Sequence, residues 1–235
     1  GHIYKDKHRF LNMVRKYNHL FFDLDHTLWD FDTNSKLSLL DIFDEFELSQ
    51  KITVDFDEFY IKYLHHNKIL WERYQNGFIS ADELKWRRMW RTLLEFKIGD
   101  EALSKSLSQR FLEILPTKKN LFPHTIEILN YLTEKKYSIH LITNGFEKTQ
   151  WSKLKNSKME HFFEHVITSE GSNSMKPEKE IFELVLNENH LHPNEVIFID
   201  DSAQHIDGAK NAGIKNSFLH QTNEAVEKLF SKING

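Results

Sequence analysis

Hydrophobic positions follow two rhythms along this chain, and the change between them divides it. Leu20, Phe21 and Phe22 form a short continuous apolar run, the pattern of a strand covered on both faces. From Asp32 to Leu115 the spacing becomes helical. Leu37, Leu40, Phe43 and Phe46 predict a first helix, and Asp55 opens a second along Phe56, Phe59, Tyr60, Tyr63, Leu70 and Tyr74, stopped by Gly77. Residues 80–83, SADE, form a capping box for a third helix expected to end near Gly99, and Asp100 caps a fourth ending before Pro116. The stretch is expected to hold helices and no strand.

After Pro123 the rhythm alternates. Helices are predicted over 123–136, 147–158, 177–190 and 203–213, each followed by a short apolar strand: YSIHLIT, HVITS, EVIFID and NSFLH. Such alternation predicts an α/β fold, a doubly wound parallel sheet of Rossmann-like form. The strand at 19–23 joins this sheet, so the helical stretch is an insertion. The expected division is a core domain of 13–31 and 116–235, a helical cap domain of 32–115, and an N-terminal extension of 1–12, non-native or disordered. Gly1 and His2 read as a remnant ahead of the natural sequence, with Met13 as its start.

Composition removes several classes of function. The 235 residues carry a net charge of -4 with mixed signs, which supplies no basic field for a nucleic-acid polymer. Zero cysteines exclude disulfides, thiolate chemistry and thiolate-bound zinc. The N-terminus has no signal-peptide core, and no stretch approaches the ~20 apolar residues of a membrane span. A cytoplasmic location is expected, with no membrane partner.

Candidate chemistry gathers where the strands end. Ligands of an open parallel sheet bind outside the strands' carboxyl ends. Those ends carry Asp23 and Asp25 after the first strand, Thr143, Asn144 and Gly145 after the second, and Asp200 and Asp201 after the fourth, while Lys176 lies in the loop after the third. Four acids against one lysine leave an excess of negative charge that a divalent cation would offset. Mg2+ suits these hard oxygen ligands, and it commonly binds through carboxylates together with a phosphate oxygen. In that setting Asp23 can attack phosphorus and form an aspartyl-phosphate. Asp25 can protonate the leaving oxygen and later activate water. The Thr143 hydroxyl and the Asn144 N–H can hold the transferred oxygens, Gly145 allows close approach, and Lys176 offsets charge between phosphate and nucleophile.

DLDHT at 23–27, the strand ending in Thr143, Lys176 before a proline, and IDDS at 199–202 together resemble the four motifs of haloacid dehalogenase-type phosphatases, in order and over nearly the whole chain. The insertion resembles the helical cap of that family's first cap class. ILWERYQNGFIS at 69–80 and LITNGF at 141–146 are most similar to bacterial pyrimidine 5'-nucleotidases. The resemblance implies Mg2+ held by the Asp23 carboxylate, the Asp25 backbone carbonyl and Asp201. Many members have glycine where Asp200 stands and a further acid four or five residues past Asp201. Here those positions are His205 and Ile206, with Asp207 one beyond, and Asp200 is the favoured supporting carboxylate.

The expected activity is thus a Mg2+-dependent hydrolysis of a small phosphomonoester, with pyrimidine nucleoside monophosphates as the substrate class. The helical insertion would supply selectivity through its aromatics: Phe59, Tyr60, Tyr63, Trp71, Tyr74, Phe78, Trp86 and Trp90. Trp71, Trp86 and Trp90 read as cap core before substrate platform, and the scattered histidines, including His65 and His66, as surface. A sugar-phosphate phosphatase or phosphomutase would use the same motifs. Dehalogenation has no need of Asp25 as an acid. A signalling receiver places its acidic pair first and its acceptor later, the reverse of the order here, and a phosphate-binding protein has no use for Asp25.

Overall fold

The computed structural model describes residues 18–53 and 55–220. The N-terminal extension and the start at Met13 lie outside them. The chain forms two compact units, Asp32–Lys118 and the sequence on either side of it.

In the flanking unit, β1 (His19–Phe22), β2 (Ser138–Thr143), β3 (His165–Thr168), β4 (Val196–Asp200) and β5 (Ser217–Leu219) form a sheet of order β3-β2-β1-β4-β5. Every pairing is parallel. β1 lies between β2 and β4, so the winding reverses at β1 and opens a crevice at its carboxyl end. Phe22 pairs with Leu141 on one side and Ile199 on the other, which brings the residues just beyond all three strands to the same edge. The apolar runs read from the sequence are buried: Leu20, Phe21, Phe22, Ile197, Phe198 and Ile199 are fully covered. One sheet face packs Phe21, Ile142 and Phe198 against Ile181, Phe182 and Val185.

The insertion contains α1 (Phe31–Glu45, its first residue belonging to the flanking unit), α2 (Leu48–Lys51), α3 (Phe56–Gln75), α4 (Ala81–Leu94) and α5 (Glu101–Ile114). N-caps form at the expected residues: Asp55 accepts from Glu58 N, Ser80 from Glu83 N, the forward half of the box expected at 80–83, and Asp100 from Leu103 N. Each satisfies a backbone donor that the first helical turn leaves unpaired. α4 stops well before Gly99. Lys97 takes the left-handed position at φ 64°, and Ile98 N returns to Leu93 O, closing the helix end.

The first helix buries a different stripe from the expected one. Ser35, Ser38, Leu39, Ile42 and Phe43 face inward, while Leu37 and Leu40 are 40% and 37% exposed. The inward side runs through Leu39 and Ile42 and reaches Phe43, which both stripes share, so Leu37 and Leu40 fall on the outer side.

The crossover helices are α6 (Thr125–Glu134), α7 (Glu147–Asn156), the one-turn α8 (Ser169–Ser172), α9 (Lys179–Glu188) and α10 (Ala203–Asn211). None of the helices among the described residues is long and apolar enough to cross a membrane.

Candidate active site

β1 delivers Asp23 to the edge, where its N–H continues the ladder by donating to Ile199 O at 3.0 Å. The chain then turns back on itself. Leu24 O accepts from the N–H groups of Thr27, Leu28 and Trp29, and His26 takes a left-handed φ of 66° at the bend. The turn holds Asp25 half-buried beside the strand end. Trp29, fully buried four residues on, closes it.

Lys176 is the hub of the acidic group. Its ammonium is fully buried and donates to Asp23 Oδ1 and Asp200 Oδ2, both at 2.7 Å. Asp200 has further partners: Oδ1 accepts from Ser202 N at 2.9 Å, and Oδ2 also meets His205 Nδ1 at 2.9 Å. The second oxygen of Asp23, Oδ2, meets Thr27 Oγ1 at a long 3.5 Å, and the Asp23 carboxyl also hydrogen-bonds Asp201. Asn144 holds the lysine's backbone from both sides, donating through Nδ2 to Lys176 O and accepting Lys176 N at Oδ1, each at 2.8 Å. The Thr143 hydroxyl accepts from Gly145 N at 3.1 Å and Gln150 Nε2 at 2.7 Å.

The charges do not balance. Burial and then the charge of Asp200 push the Asp23 carboxyl well above the usual carboxylate range, against the pull of Lys176. Burial and Asp200 likewise raise Asp201 to about 6. Burial opposes ionisation of Asp200 too, but the Lys176 charge and the His205 hydrogen bond hold it below its ordinary value. The lysine goes the other way from a merely buried amine: burial would lower it, and the two carboxylates raise it. One cation thus serves three acids, and its share goes mainly to Asp200. Oxygen atoms of Asp23, Asp200 and Asp201 lie within 4.8 Å of one another. All are hard oxygen donors, and Asp23 and Asp201 are short of positive charge, a set that fits a small divalent cation such as Mg2+.

Asp25 faces other partners. Lys153 Nζ donates to its Oδ1 at 2.9 Å and Gln150 Nε2 to its Oδ2 at 3.0 Å. Neither α7 residue was marked by the sequence. Both sit in a polar helical run, and only the fold turns that face inward. Lys153 also corrects the count of one lysine against four acids.

Several other expectations meet a definite placement. Asp207 is exposed on α10, whereas Asp200 stands among the acids. Gly145 is needed for a neighbouring side chain: a Cβ there would lie 2.3 Å from Gln150 Cδ. Trp71, Trp86 and Trp90 are half-buried and not part of the insertion's core, which is filled by Phe59, Tyr63, Leu70, Met89 and Phe111. The histidines are not all at the surface. His140 is 1% exposed, stacked on Phe21 and His165 and 3.1 Å from His19, and burial with its histidine neighbours lowers it to about 3. His140, Glu164 and His165 bring ligand atoms close together, but the two rings are parallel within 4°, so their in-plane nitrogens run side by side and do not converge.

Residues 17–213 match the family described as haloacid dehalogenase-like hydrolase. The chain belongs to that family. The hydrolase is 30% identical to the pyrimidine 5'-nucleotidase PynA of Streptococcus pneumoniae, over 84% of this chain and 81% of the relative. It is 28% identical to the pyrimidine 5'-nucleotidase YjjG of Escherichia coli, over 87% of each. A crystal structure of the HAD-hydrolase YfnB of Bacillus subtilis, described as bound to magnesium, superposes with a TM-score of 0.79 at 25% identity, covering 93% of this chain and 99% of that one. Other relatives include glyceraldehyde 3-phosphate phosphatases and a phosphorylated carbohydrates phosphatase. This haloacid dehalogenase-like hydrolase is a phosphatase.

Proposed function

We propose that the chain hydrolyses small phosphomonoesters through an aspartyl-phosphate on Asp23, with Mg2+ as cofactor and pyrimidine nucleoside 5'-monophosphates as preferred substrates. The observation that carries the reading is the division of the carboxylates. Asp23 shares Lys176 with Asp200, while Asp25 turns to Lys153 and Gln150. One acid is thus set for nucleophilic attack and another, two residues on, for proton transfer.

Asp23 Oδ2 attacks phosphorus and the ester P–O bond breaks, its electron pair leaving on the alkoxyl oxygen, which takes a proton from Asp25. Water then attacks the phosphorus of the aspartyl-phosphate. Asp25 takes the water's proton, the acyl P–O bond breaks, and the Asp23 carboxylate and inorganic phosphate are released. Lys176 stays beside Asp23 and offsets charge through both steps. Asn144 contributes by fixing the lysine's backbone, and the Asn144 N–H, Thr143 and Gly145 lie at the phosphoryl end. Asp23, Asp201 and the Asp25 carbonyl would hold Mg2+, with Asp200 in support, and the bound ion would neutralise carboxylate and phosphoryl charge.

Support for a nucleotide comes from the nucleotidase relatives and from the insertion's rings. Phe59 and Tyr63 are buried, whereas Tyr60, Trp71, Tyr74, Trp86 and Trp90 are partly exposed and Phe78 is 69% exposed, so the insertion keeps ring surface of the kind on which an aromatic base stacks. A panel of nucleoside monophosphates, sugar phosphates and phosphoglycolate, assayed with Mg2+ and with EDTA, tests both levels. Pyrimidine nucleotides should have the highest kcat/KM, EDTA should abolish turnover, and Asp23→Asn should be inactive throughout. Sugar phosphates outrunning every nucleotide would overturn the substrate class, and turnover by Asp23→Asn would overturn the covalent mechanism.

A further inference from the structure

Asp25 sits in a turn, where a carboxyl group would ordinarily rotate about two side-chain bonds. Here it cannot. Gln150 and Lys153 lie three residues apart on α7 and so project from the same helix face, one to each carboxylate oxygen. Lys153 is 2% exposed despite its charge. Its ammonium lies 4.3 Å from the centre of the Trp29 ring and 5.2 Å from that of Phe31, so aromatic faces hold the cation against Asp25. Gln150 is fully buried, and its single amide nitrogen spans Asp25 Oδ2 and Thr143 Oγ1. Only the NH2 end of that amide can face a carboxylate, which sets its orientation. The missing Cβ at Gly145 leaves the room the amide occupies.

Each carboxylate oxygen has more than one acceptor direction, and this grip takes one from each. The remaining directions stay open to a leaving oxygen or a water. We propose that Lys153 and Gln150 are positioning residues for Asp25, fixing its carboxyl group in the orientation used for both proton transfers. The proposal rests on the reading of Asp25 as the acid and base of the reaction. It adds to that reading a buried lysine and glutamine on a helix that bears none of the four motifs.

A merely structural ion pair would affect every substrate alike, whereas a positioning pair affects the steps in which Asp25 moves a proton. A nucleoside alkoxide needs a proton to leave. p-Nitrophenolate leaves without one, yet the aspartyl-phosphate it leaves behind still needs Asp25 to activate water. The test uses the full chain with Mg2+, in wild type, Lys153→Met, Lys153→Arg, Gln150→Leu and, as a reference, Asp25→Asn. Melting curves verify that each is folded.

In Lys153→Met and Gln150→Leu, kcat/KM on a nucleoside monophosphate should fall about 10–100-fold, the scale of a misplaced catalytic group. The first turnover of p-nitrophenyl phosphate should stay within about threefold of wild type, because that step needs no proton and so escapes the loss. Its steady state should slow, so a burst of p-nitrophenolate appears and acid-quenched protein carries phosphate. Lys153→Arg should recover most of the nucleotide activity. Gln150→Leu leaves the Lys153–Asp25 pair in place, so the test survives a Lys153→Met chain that fails to fold. Equal losses on both substrates without a burst, or no loss, would overturn the proposal if Asp25→Asn does show the burst. If Asp25→Asn shows neither burst nor leaving-group dependence, the reading of Asp25 falls and the proposal with it.

Discussion

Lys176 ties Asp23 to Asp200 through two contacts of 2.7 Å, so a change at Asp200 is felt at Asp23. Removing one partner from a buried charged group leaves the others underpaired, which is the costly case for such networks. Asp200→Asn should therefore raise the Mg2+ concentration needed for half-maximal activity and lower kcat at saturating metal, by about 10-fold or more. Asp207→Asn, a change at an exposed helix position, should shift the Mg2+ requirement by less than about twofold. Metal titrations of activity in the two variants give the comparison. The reverse pattern would move the supporting carboxylate to Asp207. Adjacent acids at 200 and 201 are visible in the chain, but the hydrogen bonds from Ser202 N and His205 that hold Asp200 depend on how α10 begins.

The loop carrying Lys176 depends on its packing against α10. Gly208 lies on that helix beneath Pro177, where a Cβ would come within 2.3 Å of Pro177 O and 3.0 Å of its Cα. Backbone cannot step aside as a flexible side chain can. Gly208→Ala gains about 1 kcal/mol of helix propensity, and overpacking costs about 1–3 kcal/mol. The cost should win, lowering Tm and, because the displaced segment includes Lys176, lowering kcat at saturating Mg2+. A variant with raised Tm and full activity would show that the loop yields freely. The helix itself was legible from AQHIDGAKNAG, whereas the reason for its glycine was not, since Pro177 is 31 residues away along the chain.

Across the whole molecule, the excess of acid charge links folding to metal and to pH. Asp201 is raised from its ordinary 3.8 to about 6 in the fold, so the folded chain takes up this proton more readily than the unfolded one. Its charge therefore weighs against the metal-free fold above about pH 6, and that penalty is relieved as pH falls toward 3.8. Mg2+ binding only the folded state should add about 2.7 kcal/mol at a hundred times its dissociation constant. The Tm increase on adding Mg2+ should accordingly be large at pH 7.5 and small at pH 5, and Asp201→Asn should lose most of it while its metal-free form melts no lower than wild type. Melting curves at both pH values with Mg2+ or EDTA provide the check. An equal Mg2+ effect in Asp201→Asn would remove Asp201 from the ligand set.

Periodicity alone determined the alternation of strands and helices after Pro123, the helical stretch before it, and the gathering of Asp23, Thr143, Lys176 and Asp200 near the sheet's carboxyl edge. Each of these follows from local spacing together with the right-handed winding of parallel strands. Tertiary structure alone decided which residues of a polar helix face inward. Lys153 and Gln150 look like solvated residues of EKTQWSKLKN until α7 is packed against the turn of Asp25, and His140 looks like any other histidine until the register sets it between Phe21 and His165. A contact between distant segments leaves no periodic trace in either one, because it depends on the rotation of a helix about its axis and on strand register, which only the assembled core determines.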